Sequence, residues 1–228
     1  MRRIIVLVLT LAVVAVVGFG GWYLFIRDEP AELTLPKQQG PQQSTTAGDL
    51  AGTWRPASES VAGYRVKEKL ASLPAQSDAV GRTNAVTGTV TLAAENDALA
   101  VTAANLEVDV TTLKSDQDRR DNAIKSRGLQ TSQFPKASFT GQAPIAVPAA
   151  ALSGGRATVQ ATGNLTLHGQ TKPVTIPIEV QLNNGRIELN GKYTFAFSDF
   201  GMDPPSIGGF VSVEPDATLE FLVVLTKS

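Results

Sequence analysis

Cysteine is absent from the 228 residues, and histidine occurs once, at His168. No disulfide framework, zinc–thiolate site, catalytic thiol or lipidated N-terminal cysteine can be built without cysteine. One histidine excludes a multi-histidine metal centre. Charged residues are only 18% of the chain and the formal net charge is −1, so no basic excess exists to hold a nucleic-acid backbone. Nucleotide-binding glycine loops and a nucleophile elbow are missing as well. No spacing singles out a carboxylate pair for acid–base work. The sequence therefore carries no positive sign of an enzyme and implies no cofactor. Apolar residues make up 43%, which excludes a disordered chain.

Part of that apolar content is one run. Ile4 to Ile26 is 23 residues without a charge. At about 1.5 Å per residue it makes a helix of about 34 Å, long enough to cross a bilayer core. Arg2 and Arg3 precede the run, and Asp28 and Glu29 follow Arg27. The positive-inside rule then places the N-terminus in the cytoplasm and the rest of the chain on the envelope side of a bacterial membrane. Trp22 and Tyr23 stand where an interfacial aromatic belt would be. The alternative is a cleaved signal peptide, whose apolar part is usually shorter and ends in an A-x-A-like site; none lies near Gly20–Ile26. Residues 1–27 are expected to form a single transmembrane anchor. Residues 28–48, with Pro30, Pro36, Pro41 and four glutamines, read as a flexible tether with a reach of about 25 Å.

Residues 49–228 form one domain with 16 basic and 18 acidic residues. Its dominant pattern is alternation with period two. Val174, Ile176, Ile178, Val180 and Leu182 alternate with mostly polar partners, as do Tyr193, Phe195 and Phe197, Val86, Val90 and Leu92, and Tyr64 and Val66. Asn183-Asn184-Gly185 joins two such runs as a hairpin turn. Strands are expected near 52–56, 61–69, 79–93, 98–110, 137–147, 156–168, 172–182, 186–198 and 217–226. Long antiparallel strands with one apolar face predict an all-β, up-and-down barrel; a two-sheet sandwich is the alternative. One short helix is expected over Asp116–Arg127, started by Ser115 and Asp118 at capping-box spacing and stopped by Gly128.

The cluster from Asp116 to Asp121 is not a calcium loop, because Arg120 and Asp121 stand where a ligand and a glycine belong and no Glu occupies the twelfth position. It is either a solvated helix start or an anion-binding rim built on Arg119 and Arg120. His168 ends a strand, where a structural role and a rim role both remain open. Phe134, Phe139, Tyr193, Phe195, Phe197, Phe200, Phe210 and Phe221 either fill a solid core or line a cavity. An eight-stranded barrel is wide enough for either, and periodicity does not choose.

Four stretches carry a resemblance. They are Gly52-Thr53-Trp54 with Ser60 to Val66; Val80-Gly81-Arg82-Thr83-Asn84 with Val86-Thr87-Gly88; Arg120-Asp121 through Gly128-Leu129 to Phe134–Phe139; and Gly163-Asn164-Leu165-Thr166-Leu167-His168-Gly169-Gln170-Thr171-Lys172-Pro173-Val174. The last is the most specific. Together with Asp199-Phe200-Gly201 and Gly208-Gly209-Phe210 they make residues 50–228 similar to the YceI-like family, a lipocalin-like barrel that binds polyisoprenoid chains. The resemblance implies an isoprenoid lipid, a quinone or prenyl phosphate, as ligand. It implies an apolar cavity lined by Phe134, Phe139, Leu165, Ile176, Tyr193, Phe195, Phe197, Phe200 and Phe210. The head group would lie at a rim of Arg119, Arg120, Asp121 and His168. Two departures stand out: Ala57, Ser58 and Glu59 replace an Asp and His common before the second strand, and Ala123 replaces a His common after Arg-Asp.

Overall fold

The computed structural model describes residues 30–38, 45–70, 76–96, 98–152, 154–205 and 211–228. The expected anchor at 1–27 and Phe210 lie outside the described residues. Among those described, no helix is long and apolar enough to cross a membrane.

The described strands are β1 (Gly52–Pro56), β2 (Val61–Leu70), β3 (Gln76–Thr83), β4 (Val86–Glu95), β5 (Ala98–Asp109), β6 (Lys136–Gly141), β7 (Ile145–Val147), β8 (Arg156–Leu167), β9 (Gln170–Asn183), β10 (Arg186–Ala196) and β11 (Val211–Lys227). Eight of them close a ring in the order β1, β4, β5, β6, β8, β9, β10, β11 and back to β1, every pair antiparallel. The chain is thus an antiparallel barrel and not a sandwich. The β2–β3 hairpin extends the wall from β11, and β7 adds to β5.

Register follows from the alternation. Ile187, Leu189 and Gly191 of β10 stand opposite Leu182, Val180 and Ile178 of β9, and Gly191 and Leu189 stand opposite Phe221 and Val223 of β11. Inward residues therefore form layers, and a slip by one residue would turn each set to water. Asn184 and Gly185 take positive φ at the β9–β10 turn, as do His168 and Gly169 at the β8–β9 turn.

The strand β11 changes partner along its length, from β2 at Leu222 to β1 at Leu225. Ser60, fully buried, fills the break. Its hydroxyl donates to the Val224 carbonyl at 3.2 Å and accepts the Val224 N–H at 3.1 Å. One side chain replaces a missing rung of the ladder.

Among the described residues three short α-helices occur, not the single short one expected: α1 (Ala47–Leu50), α2 (Asp118–Ala123) and α3 (Ala149–Leu152). Thr46 and Asp49 form a capping box on α1. Its Leu50 carbonyl accepts the Trp54 indole N–H at 2.9 Å, and Leu50 and the 2% exposed Trp54 close one end of the barrel core. Near the other end, α2 begins without a side-chain cap. Asp121 reaches back to accept the Ser115 N–H and hydroxyl at 2.8 and 2.7 Å, so Ser115 is bonded into the first turn without capping it. From Ile124 to Gly128 the helix widens to a π turn.

Two expected strands are each divided in two. The run 79–93 breaks at 84–85, where Asn84 donates to the Ser60 carbonyl at 2.9 Å and Thr83 accepts the Ala85 N–H at 3.0 Å. The run 137–147 breaks before Pro144, which has no N–H for a ladder.

The tether also differs from expectation. The compact unit begins at Ala31, not at 49. Residues 31–38 lie along the outer wall. The carbonyls of Leu33 and Pro36 accept from Asn190 and Gln181, both at 2.9 Å, and that of Leu35 from Arg156 at 3.1 Å. Arg82 donates to the Ala31 carbonyl, and Glu32 pairs with Lys192. Leu35 is 4% exposed. The physical reason is that an extended, proline-containing segment leaves its carbonyls unpaired, and this wall supplies donors. Composition alone does not reveal a wall.

Two stability measurements check this description. Ser60→Ala leaves the Val224 N–H without its partner, and urea unfolding is expected to show a loss of about 1–3 kcal/mol. Leu35→Ala is expected to cost about 2 kcal/mol, at the low end for a buried leucine because the strap can settle onto the wall. Unchanged unfolding free energy in either variant would contradict the contact concerned.

Candidate functional site

The barrel is hollow. A cavity of about 170 Å³ extends from Leu50, Leu92 and Leu152 at the α1 end to Phe139, Tyr193 and Leu219 midway. A second chamber of about 90 Å³ continues toward α2, walled by Tyr64, Val66, Leu113, Ile124, Leu129, Phe195, Phe197 and Met202. The two share Ala62, Val108, Ala137 and Leu219. They stack into one elongated, apolar lumen. An apolar cavity of about 150 Å³ stays dry and takes up benzene, so the combined space suits a hydrocarbon chain and not a column of water.

The lumen stays open because of how its rings are seated. Phe221 on β11 lies over Gly191 on β10, and a Cβ at Gly191 would stand 2.6 Å from Phe221 Cζ. Phe139 on β6 lies over Gly163 on β8, again with 2.6 Å to Cζ. Tyr64 on β2 lies over Gly81 on β3, with 2.3 Å to Cε1. In each case the ring lies against the wall in the place of the missing side chain. Four further lining positions are small, Ala62, Ala104, Ala137 and Ala161, among leucines, isoleucines and valines.

The structure distributes the sequence-predicted cavity residues as follows. Phe139, Leu165, Ile176 and Tyr193 line the first chamber, and Phe195 and Phe197 the second. Phe134 does not line either. It packs edge-on against His168, ring centres 4.6 Å apart, beside the β8–β9 turn. Phe200 is buried against Phe195, ring centres 5.1 Å apart, behind the chamber wall.

The expected rim residues are placed differently from one another. His168 sits in the turn with positive φ, its Nδ1 3.2 Å from the Phe200 carbonyl and its Nε2 buried without a partner among the described residues. Asp121 is bonded to Ser115 as described. Arg119 is exposed. Arg120 points inward onto Glu68 of β2, with Nε–Oε1 at 2.9 Å and Nη2–Oε2 at 2.8 Å, and its Nη1 pairs with Asp116. Burial works against the Arg120 charge, but Glu68 and Asp116 outweigh it and raise its affinity for the proton. Burial pushes the neighbouring Tyr64 phenol well above its ordinary range. Glu68, 7% exposed, was not expected at this site. The signal was a carboxylate at the inward parity of the Tyr64-Val66 alternation.

Among the described residues no cluster of acidic or histidine side chains fit for a metal occurs. The geometry offers sequestration of a long apolar molecule.

Comparison with known proteins agrees with this architecture. The YceI-like domain family matches residues 56–225. A UPF0312 protein of Shewanella sp. strain ANA-3 is 32% identical over 151 residues, covering 62% of this chain and 73% of the relative. A UPF0312 protein of Pseudomonas syringae pv. syringae is 33% identical over 111 residues, 44% of this chain; the chain spans about half that relative's length, 53%. Among solved structures, a polyisoprenoid binding domain from Saccharophagus degradans superposes with a TM-score of 0.58 at 14% identity, covering 78% of this chain and 99% of that one. A closed antiparallel barrel, a lumen and a family match across most of the domain make this chain a member of the YceI-like family.

Proposed function

We propose that the protein is a binding protein that holds the chain of an isoprenoid lipid in its lumen, as a carrier or store, while residues 1–27 tether it to the extracytoplasmic face of the membrane. The observation that carries this reading is the elongated apolar lumen. Membership of the YceI-like family supports it, as does the fold shared with a protein described as a polyisoprenoid binding domain.

The energetics favour exchange over trapping. Moving a chain of about 30 carbons out of water is worth about 24 kcal/mol at ~0.8 kcal/mol per methylene. A lipid resting in a bilayer has already gained nearly all of that. Net transfer into the barrel then depends on fit and on the head group. A tether keeps the lumen beside the reservoir and raises the effective concentration.

Full-length protein purified from a prenyl-rich bacterial host is expected to release an isoprenoid lipid on solvent extraction, detected by mass spectrometry. A lipid-free protein that also refuses an added prenyl quinone and an added prenyl phosphate would remove the proposal. Gly191→Ala places a methyl group against Phe221 and the Pro177 carbonyl, the latter 3.1 Å away. The ring must turn into the first chamber, so lipid occupancy should fall severalfold at a stability cost of about 1–3 kcal/mol. Unchanged occupancy would show that the ring's seat does not set the capacity.

A further inference from the structure

The lumen has a floor. At the α1 end Leu50, Ala151 and Leu152 line the first chamber beside Leu92, Leu99 and Leu182. Leu50 is 4% exposed and Ala151 3%, so this end is sealed from solvent. Two single-turn helices supply the seal: α1 packs on β4 and β5, and α3 on β8 and β9. A helix of one turn has no stability of its own, and each of these is pinned. The Leu50 carbonyl accepts the Trp54 indole N–H at 2.9 Å, and the Asp49 carbonyl accepts from Lys227 Nζ at 2.6 Å. In α3 the Ala151 N–H donates to the Pro148 carbonyl at 3.0 Å, and the Ala150 carbonyl accepts the Gly155 N–H at 2.9 Å.

A polar head group finds no partner on this floor. Gln181 is the polar residue of the lining at this level, and its amide is engaged outside the barrel. Its Nε2 donates to the Pro36 carbonyl and to Glu188, and its Oε1 accepts from Arg156. An unpaired head group buried among leucines would be strongly disfavoured. The hydrocarbon end of a bound chain is therefore the end that meets Leu50 and Ala151.

The strand register sets the depth above that floor. Ile187 and Leu225 are partners in the β10–β11 ladder and line the first chamber. Phe195 and Ala217, eight residues along the same ladder, are partners that line the second. With a rise of about 3.3 Å per residue and a barrel tilt of about 40°, eight residues span about 20 Å along the axis. An extended chain advances about 3.5 Å per three backbone bonds, so a prenyl unit, with four, covers about 5 Å.

We propose that α1 and α3 act as a stop that limits the part of the chain held in the lumen to about four prenyl units. Leu50 and Ala151 are its specificity-determining residues, and Trp54 is a positioning residue that acts through Leu50. The proposal rests on the lipid-binding reading above and concerns the length of chain that fits. A shorter chain leaves part of the lumen unfilled and forfeits its contacts. A longer one crumples or displaces its head from the position that the filled lumen sets.

The test uses full-length protein in a non-ionic detergent. It is equilibrated with an equimolar mixture of prenyl quinones that share one head group and carry two to eight prenyl units. The bound fraction is separated, extracted and measured by mass spectrometry against the free mixture. Retention by the wild-type protein is expected to peak at about four units, about threefold or more above both ends of the series. Leu50→Ala removes an isopropyl group from the floor and should move the peak about one unit longer, whereas Ala151→Leu adds one and should move it about one unit shorter. Trp54→Phe, which lacks the indole N–H, should broaden the peak toward longer chains. Loss of stability alone would lower retention of every length and leave the peak in place. Equal retention of all lengths by the wild-type protein overturns the proposal. A peak that neither floor variant moves overturns its assignment to α1 and α3. If one floor variant does not fold, the other and Trp54→Phe decide. Retention of no quinone at any length refutes the lipid-binding reading itself and not the stop.

Discussion

A ring of eight strands has room for a packed interior or for a narrow tube, and bulky inward side chains decide which one forms. Here three of the largest inward rings lie flat because the residue opposite or beside them on the next strand is glycine. Phe221 takes the space that a side chain at Gly191 would fill, Phe139 that of Gly163, and Tyr64 that of Gly81. The apolar area of each ring is still buried, so the barrel gains the hydrophobic stabilisation. It gains it at the wall and not on the axis. Every later property of the molecule, from the stacked chambers to the kind of ligand that fits, depends on that seating.

The two ends of the lumen are built from different materials. At one end a single turn of helix, Trp54 and several leucines make an oily floor. At the other a buried ion pair, Glu68 with Arg120, stands above apolar walls. Desolvating two charges is costly, and such pairs are poor contributors to stability.

The strands were legible because burial on one face imposes alternation. The Val174–Leu182 run and the Asn184-Gly185 turn could be located from spacing alone. What spacing missed were places where a side chain stands in for backbone. Ser60 and Asn84 bridge strand breaks by hydrogen bonds to residues distant in sequence. Asp121, and not Asp118, reaches back to Ser115, three residues beyond what the capping-box spacing implies. The outer strap was missed because proline and glutamine report only that a segment does not fold by itself. At the site, Leu165, Ile176 and Tyr193, which line the first chamber, came from the family resemblance, and alternation by itself marked Ile176 and Tyr193 only as one-faced strand residues. It could not reveal that Phe134 packs on a turn or that Phe200 lies behind the wall, since both follow breaks in the alternation. Glu68 went unread, although the Tyr64-Val66 alternation extends to it and a charge at that parity was the available clue.

The strap along the outer wall has an evolutionary corollary. Four of its attachments are made by main-chain oxygens, at Ala31, Leu33, Leu35 and Pro36, while the matching donors Arg82, Asn190, Arg156 and Gln181 all belong to the barrel. Carbonyls are common to every residue type, so the information for this attachment is stored in the receiving surface. Apart from the buried Leu35 side chain, the Glu32 pair with Lys192 and the Gln38 amide that donates to the Leu182 carbonyl, the segment is free to diverge while its berth is retained.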